Sequence, residues 1–459
     1  MMTSVDEVLK YIATNEIRWV DLQFFDVNGL MHKTTISNRD VDEQMFSKGI
    51  AAADLYDVFG RSEQGELALL PDANTVARLP WEPSSIRLLC DVVTNPNTER
   101  YPKDCRYVSE RVETNLSAIG IKSAKIGASL EFYIFETVTT DRTTSERGAG
   151  TIVDTREASW NPSPLSGVRN GAFVSQPYDS LYAARNQIAE TMEDAFGFFV
   201  DGHRHGRSPT GQQNIDIQEY TMKTASDAIS TLKFVVRNLA NAVNAGATFM
   251  PYPVKGEKGS SLAIHQSLWK TADSNMFYDG TDEYSQLSQA GRYYIGGILE
   301  HAAALCLFTN PTTNSYKRMT MDKKVVGWSK DNRKALVLAP FTKKNAKEVK
   351  RVVFNNADPS VNPYLAYSAI IAAGIDGIKN KIDPGDPLSE NEEEAKKRKW
   401  NKLPNTLYEA VEALETDPKF IKGVIPTELL GDYLDSKLQE FKDSQKSISA
   451  WEMERYWNV

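Results

Sequence analysis

The side chains best suited to chemistry are sparse in this chain. His203 and His205 flank Arg204. On a strand, residues two apart share a face, so this pair could grip zinc or nickel from one side, or could be two ordinary strand histidines. No Walker or dinucleotide glycine loop occurs, and Gly256 and Gly259 in KGEKGSS are too sparse to cradle a phosphate. Three cysteines, Cys90, Cys105 and Cys306, make a disulfide framework unexpected and point to a reducing compartment. Lys and Arg number 53 against 61 Asp and Glu, a formal charge of −8, so nucleic acid is not an expected partner.

These groups need a scaffold, and 459 residues with 41% hydrophobic and 25% charged content describe an ordinary globular chain. The polar, acidic start MMTSVDEVLK shows no signal peptide, and no apolar stretch reaches the roughly 18–20 residues of a membrane span. A soluble cytoplasmic protein without membrane partners is expected. Ser4 and Glu7 have capping-box spacing ahead of a helix with Val5, Val8, Leu9 and Ile12 on one face. Strand-like residues 19–25 and 31–36 enclose Asn28-Gly29, which predicts a tight type I′ hairpin turn. β-rich patches follow at 67–70 and 86–93, then a polar, turn-rich stretch at 95–103 that predicts a domain boundary. Helices are predicted over 106–119, 180–195, 224–244, 286–308, 363–380, 407–414 and 426–443, with a strand at 125–135. The Thr, Ser, Gly and Pro-rich residues 136–169 read as a loop, and the charge run 391–399 as a solvated helix face. Strands and helices do not alternate strictly, so the fold class is α+β rather than a doubly wound sheet.

Several stretches, colinear along the chain, resemble the glutamine synthetase family: NPTTNSYKR at 310–318, DPSVNPYL at 358–365, GIDGIKNK at 374–381, Gly211-Gln212 ahead of Ile215-Asp216, Leu70-Pro71-Asp72, and WEMERY at 451–456. The resemblance implies a β-grasp domain at 1–102 and a catalytic-type domain at 103–459 built as a sheet funnel with helices. It also implies stacked six-membered rings, a hexamer or dodecamer, with active sites between neighbouring subunits. In that family ATP phosphorylates the glutamate γ-carboxylate and ammonia displaces the phosphate. Such chemistry needs Mg or Mn in a cage of carboxylates and one His, a carboxylate base, and Arg clamps.

Transferred residue by residue, the cage is depleted. The family's Gly-x-Glu-x-Glu-Phe strand reads with Ser129 and Glu131; the two Glu positions around Gly211-Gln212 hold Arg207 and Asn214. The metal His reads as Ala263, the metal Glu before the Asp-Pro motif as Val353, and the Arg after it as Asn355. His265, Arg318 and Arg333 remain as anion or ligand contacts, while a third Arg reads Leu338. The link 319–331, where the family carries its flap Glu, is short and holds none, and AAADL at 51–55 replaces the ammonium-site motif, with Asp54 as a shifted candidate.

These departures predict no retained catalytic set, no bound metal, and an Arg207 side chain replacing the cation beside Glu131. The functional expectation is a catalytically inactive family member forming homo-oligomers, with a structural or regulatory role linked to nitrogen metabolism; metabolite sensing, capping or mixing with an active paralogue, storage and filament formation are all open as that role. The alternative is an ATP-dependent carboxylate–amine ligase of changed specificity, or a true glutamine synthetase, either of which requires ATP and Mg or Mn.

Overall fold

The structure, a computed structural model, describes residues 4–52, 54–60, 66–95, 97–141, 150–161, 172–342, 346–388, 400 and 402–459. The helix Val5–Thr14 starts with the expected capping box, Ser4 and Glu7 each accepting from the other's backbone N–H. Val8 and Ile12 bury its apolar face. It joins a sheet of β1 (Trp19–Phe25), β2 (Met31–Ser37), β3 (Ile50–Ala51), β4 (Glu66–Pro71), β5 (Ala77–Leu79), β6 (Glu82–Asn95) and β7 (Glu99–Arg100). The order is β2-β1-β6-β4-β3, with β5 and β7 also on β6. β1 and β6 run parallel, so a chain crossing over between them gives the mixed sheet of a β-grasp unit.

The β1–β2 turn departs from the type I′ expectation. Phe25 pairs with Met31, leaving a five-residue loop in which Gly29 alone has positive φ (79°). Asp26 organises it: its Oδ1 accepts from Asn28 N at 2.9 Å and Leu30 N at 2.8 Å. Gly29 is required twice over, because a Cβ there would also lie 2.9 Å from the Cα of Asn362.

The second unit is built on β8 (Ser123–Phe135), β11 (Val200–His205), β12 (Gln212–Thr221), β14 (Leu262–Thr271), β16 (Val325–Ser329), β17 (Ala335–Leu338) and β18 (Val352–Ala357), ordered β11-β12-β8-β14-β18-β17-β16. β13 (Gly246–Thr248) and β15 (Ser274–Asn275) extend it. Even-numbered residues of β8 such as Leu130 and Phe132 enter the core, whereas Ser129 and Glu131 stand half-buried on the other, open face. The helices Cys105–Ala118 and Met222–Ala242 pack on the core side.

Helices Gln289–Glu300 and Pro363–Asn380 cross at glycines. A Cβ at Gly297 would stand 2.1 Å from the Ala373 carbonyl, and one at Gly377 would stand 2.2 Å from that of Tyr293. The GIDGIKNK stretch is therefore a packing device. Arg106 joins the two units: its guanidinium, fully buried, reaches Asp72, Asp91 and Asp227. Burial opposes the Asp72 charge, but Arg106 and Lys223 outweigh it and hold that carboxyl down at about 2.

The segment expected as one helix at 286–308 breaks at His301, whose ring lies between Asp417 and Asp376. The expected loop after residue 136 contains a ribbon, β9 (Thr137–Asp141) with β10 (Gly150–Asp154). The stretch 95–103 contributes β7 to the first sheet. The charge run 391–399 lies outside the described residues. Among the described residues no helix is long and apolar enough to cross a membrane.

Candidate functional site

Strand register brings the expected positions together on the open sheet face. Asn214 pairs with Glu131 across β12 and β8, Asp216 with Ser129, Ser129 with Ala263 across β8 and β14, and His265 with both Gly127 and Val353. Paired residues share a face, so Ser129, Glu131, Asn214, Ala263, His265 and Val353 form one patch. Their positions converge as the family resemblance implies, with alternation keeping Ser129 and Glu131 on the same side of β8.

Arg207 does not join them. The chain leaves β11 at His205, Gly206 N donates to Gln212 O, and Gly211 (φ 75°) closes the turn. Arg207 falls on this turn and is exposed. It acts electrostatically on Asp322 and Lys324 instead. The expected Arg207–Glu131 contact is thus corrected: Glu131 Oε2 accepts from Ser261 N and Ser261 Oγ, each at 2.8 Å.

A guanidinium does occupy the patch, but it belongs to Arg204. Arg204 pairs with Asn214 in register, and its Nη1 lies 2.6 Å from Asp216 Oδ2. The other Asp216 oxygen accepts from the Ser129 hydroxyl. Arg204, Asp216 and Ser129 therefore form a continuous chain across three strands. Neither Arg204 nor Ser261 was singled out from sequence as a site residue. The usable signal for Arg204 was alternation: if His203 and His205 face one side of the strand, Arg204 faces the other.

His265 shows the electrostatic result. Burial, then Arg351 and Arg204, pull its pKa down to about 3, leaving a neutral ring. Arg351 lies 3.9 Å from Glu219. Arg318 is buried, its Nη2 donating to Asn356 O at 2.5 Å, whereas Arg333 is exposed. The short link after helix Thr313–Met321 is held by Lys324, whose Nζ lies 3.0 Å from Asp322 Oδ2 and donates to Arg333 O at 3.1 Å. Asp54 stands ahead of the short helix Leu55–Phe59 in the first unit.

The histidines at 203 and 205 have separate partners. His203 Nδ1 accepts from Arg185 Nε at 3.3 Å. His205 is buried with Nε2 2.9 Å from Glu157 and Nδ1 2.9 Å from the Gly206 carbonyl. Two acceptors require two ring N–H groups, the charged form. Burial opposes that form, but the Glu157 carboxylate outweighs it and the pKa is raised.

The residues present do not fit a divalent cation. Ala263 and Val353 have no donor, the Ser129 hydroxyl is committed to Asp216, and Glu131 Oε2 is committed to Ser261. A guanidinium stands among them, and at about 4 Å two like unit charges repel by about 4 kcal/mol at an effective dielectric near 20. Among the described residues no group of three or more His, Cys, Asp or Glu side chains could hold a metal ion.

Comparison with known proteins agrees on the frame around this patch. Residues 102–456 match the glutamine synthetase catalytic domain, and residues 16–95 its beta-grasp domain. A glutamine synthetase of Sulfolobus acidocaldarius is 37% identical over 98% of both chains, and one of Methylococcus capsulatus 33% identical over 99% of both. Among solved structures, the cryo-EM glutamine synthetase of Plasmodium falciparum superimposes with a TM-score of 0.86 at 23% identity, covering 99% of this chain and 98% of its own. With both domains matched and full-length relatives above 30% identity, the chain is a member of the glutamine synthetase family.

Proposed function

We propose that this family member does not run metal-dependent ligation and serves instead as a structural or regulatory ring protein. The observation that carries this reading is the Arg204–Asp216–Ser129 chain across the middle of the open sheet face, where the family resemblance places its cage. ATP-driven acyl phosphate chemistry concentrates negative charge that divalent ions must neutralise. With Ala263 and Val353 unable to ligate, that neutralisation is missing. The test is γ-glutamyl hydroxamate formation with ATP and Mg²⁺ or Mn²⁺, beside calorimetric titration with Mn²⁺. The reading expects neither turnover nor saturable metal binding, and turnover near one per second would overturn it.

Assembly into a hexamer or dodecamer belongs to the same proposal. The terminal helix Ala450–Tyr456 leaves Trp451, Met453 and Tyr456 exposed, with Trp457 73% exposed just beyond it. Aromatic residues exposed together on a short helix favour burial against another copy. Light scattering reporting a stable 51.3 kDa monomer would exclude it.

One observation favours the second reading, retained ATP-dependent carboxylate–amine ligation, as a glutamine synthetase or with changed specificity. Full-length relatives carry the name glutamine synthetase at 31–37% identity. This reading requires ATP and metal binding, so the same titration separates the two.

A further inference from the structure

Two cavities meet at the seam between the first sheet and the helix Met222–Ala242. One, of about 220 Å³, lies between β1–β2 and that helix, and its neighbour, of about 380 Å³, extends from Gly29 toward Thr312 and Ser360. Lys233 and Arg237 line both. Ser230 stands three residues before Lys233, and Arg237 four after it, so all three share one helix face.

The smaller cavity has no Asp or Glu in its lining. Lys33 and His32 reach it but are already matched, by Asp21 at 2.7 Å and Asp26 at 3.2 Å. Lys233 and Arg237 are not matched. The Lys233 ammonium donates to the Val361 carbonyl at 3.0 Å, and Arg237 lies over the Phe249 ring, 5.0 Å from its centroid. Among the described residues neither forms an ion pair; Arg237 is an exposed residue whose pKa is lowered by partial desolvation. Burial, with Arg237 adding repulsion and Asp358 offsetting only part of it, pulls Lys233 down to about 7.

Two further donors in the lining lack partners. The Ser230 hydroxyl and Gln23 Nε2 are buried without a hydrogen bond, at 5% and 0% residue exposure. The Gln23 Oε1 accepts from Arg87 Nη1 at 3.4 Å, which leaves Nε2 as the free end. An ammonium, a guanidinium, an amide N–H₂ and a hydroxyl thus line the smaller cavity, which has no carboxylate, while Glu440 lines its neighbour. Unsatisfied buried donors are costly, and an oxyanion that accepts from them while facing the two cations relieves that cost.

We propose that this seam is a binding site for a small anion with two or more oxygens, a phosphate or a carboxylate, held by Lys233, Arg237, Ser230 and Gln23. A ligand there would bridge the β-grasp sheet and the catalytic-type unit. The inference is independent of whether the open sheet face retains ligase activity.

The test is isothermal titration and thermal melting of the purified oligomer with inorganic phosphate and, separately, succinate, at ionic strength held constant with chloride. The expected result is saturable binding and a raised melting temperature with at least one of them. Phosphate alone assigns a phosphoryl ligand, succinate alone a dicarboxylate, and both the shared oxyanion chemistry. Arg237→Ala, which removes an exposed guanidinium without a protein hydrogen bond, should fold and weaken binding about tenfold. Ser230→Ala should weaken it in the same direction, and Arg204→Ala, on the other sheet face, should leave it unchanged. No response beyond chloride, or binding equal to wild type in both Arg237→Ala and Ser230→Ala, overturns the proposal.

Discussion

Arg204 and Asp216 meet diagonally across β11 and β12 with Nη1 and Oδ2 2.6 Å apart, and this pair, not Arg207 and Glu131, puts the positive charge on the open sheet face. Both side chains are partly exposed, at 39% and 27%, which screens the attraction. Arg204→Ala is therefore expected to cost about 1 kcal/mol in urea unfolding, with a coupling to Asp216→Asn of similar size in a double-mutant cycle. Arg207→Ala should stay within about 0.5 kcal/mol of wild type. A larger loss at Arg207 than at Arg204 would refute this assignment.

Rebuilding the cage tests the same face from the other direction. Ser129→Glu, Asn214→Glu, Ala263→His and Val353→Glu combined with Arg204→Ala should introduce saturable Mn²⁺ binding, read by calorimetry. Metal binding should return before ligation does, because the link 319–331 still lacks a Glu. Tight Mn²⁺ binding by the unaltered chain would contradict the expectation.

The His205–Glu157 pair carries a pH signature. A raised folded-state pKa means the stabilisation is complete below the ordinary His value of 6.5 and is lost as pH rises through the raised value. His205→Gln should therefore lose more stability near about pH 6 than near about pH 9. Denaturation curves at both values check the sign; an equal loss would mean that the ring is neutral throughout.

Arg106 is a costly cation to remove. It is fully buried against Asp91 and Asp227, so Arg106→Met strands those carboxylates and should destabilise by about 3–5 kcal/mol. A thermal melt within a degree of wild type would show that the two units are held together by other means.

Gly377→Ala should be poorly tolerated. Its Cβ would stand 2.2 Å from the Tyr293 carbonyl and 2.4 Å from Gly297 N, both backbone atoms that cannot rotate away. Separating the two helices should cost about 1–3 kcal/mol or more. Gly431→Ala, where a Cβ meets open space on an exposed helix, is the control and should be neutral or stabilising.

What the sequence revealed follows the physics of each element. The family resemblance named Ser129, Glu131, Asn214, Ala263 and Val353 as one site; alternation puts Ser129 and Glu131 on the same side of their strand, and the strand register brings the other three beside them. Arg207 was misplaced because its position depended on a turn, where a one-residue shift changes the direction of the side chain. The Ser261 partner of Glu131 was illegible, since the two residues are 130 positions apart in sequence. The helix break at His301 was hidden by a continuous apolar pattern and is visible only through Asp417 and Asp376. Asn28-Gly29 signalled a turn correctly but not its length, which the Asp26 carboxylate decides.

The Arg204 guanidinium has one more consequence. A dissolved ion fills a site to a degree set by its concentration, and any fold that depends on it gains stability by mass action as the ion becomes plentiful. A cation covalently attached to β11 has no such dependence; its effective concentration is built into the chain. Under the proposed function the charge balance on this sheet face is insulated from the supply of divalent metal, and chelators are expected to leave the melting temperature unchanged.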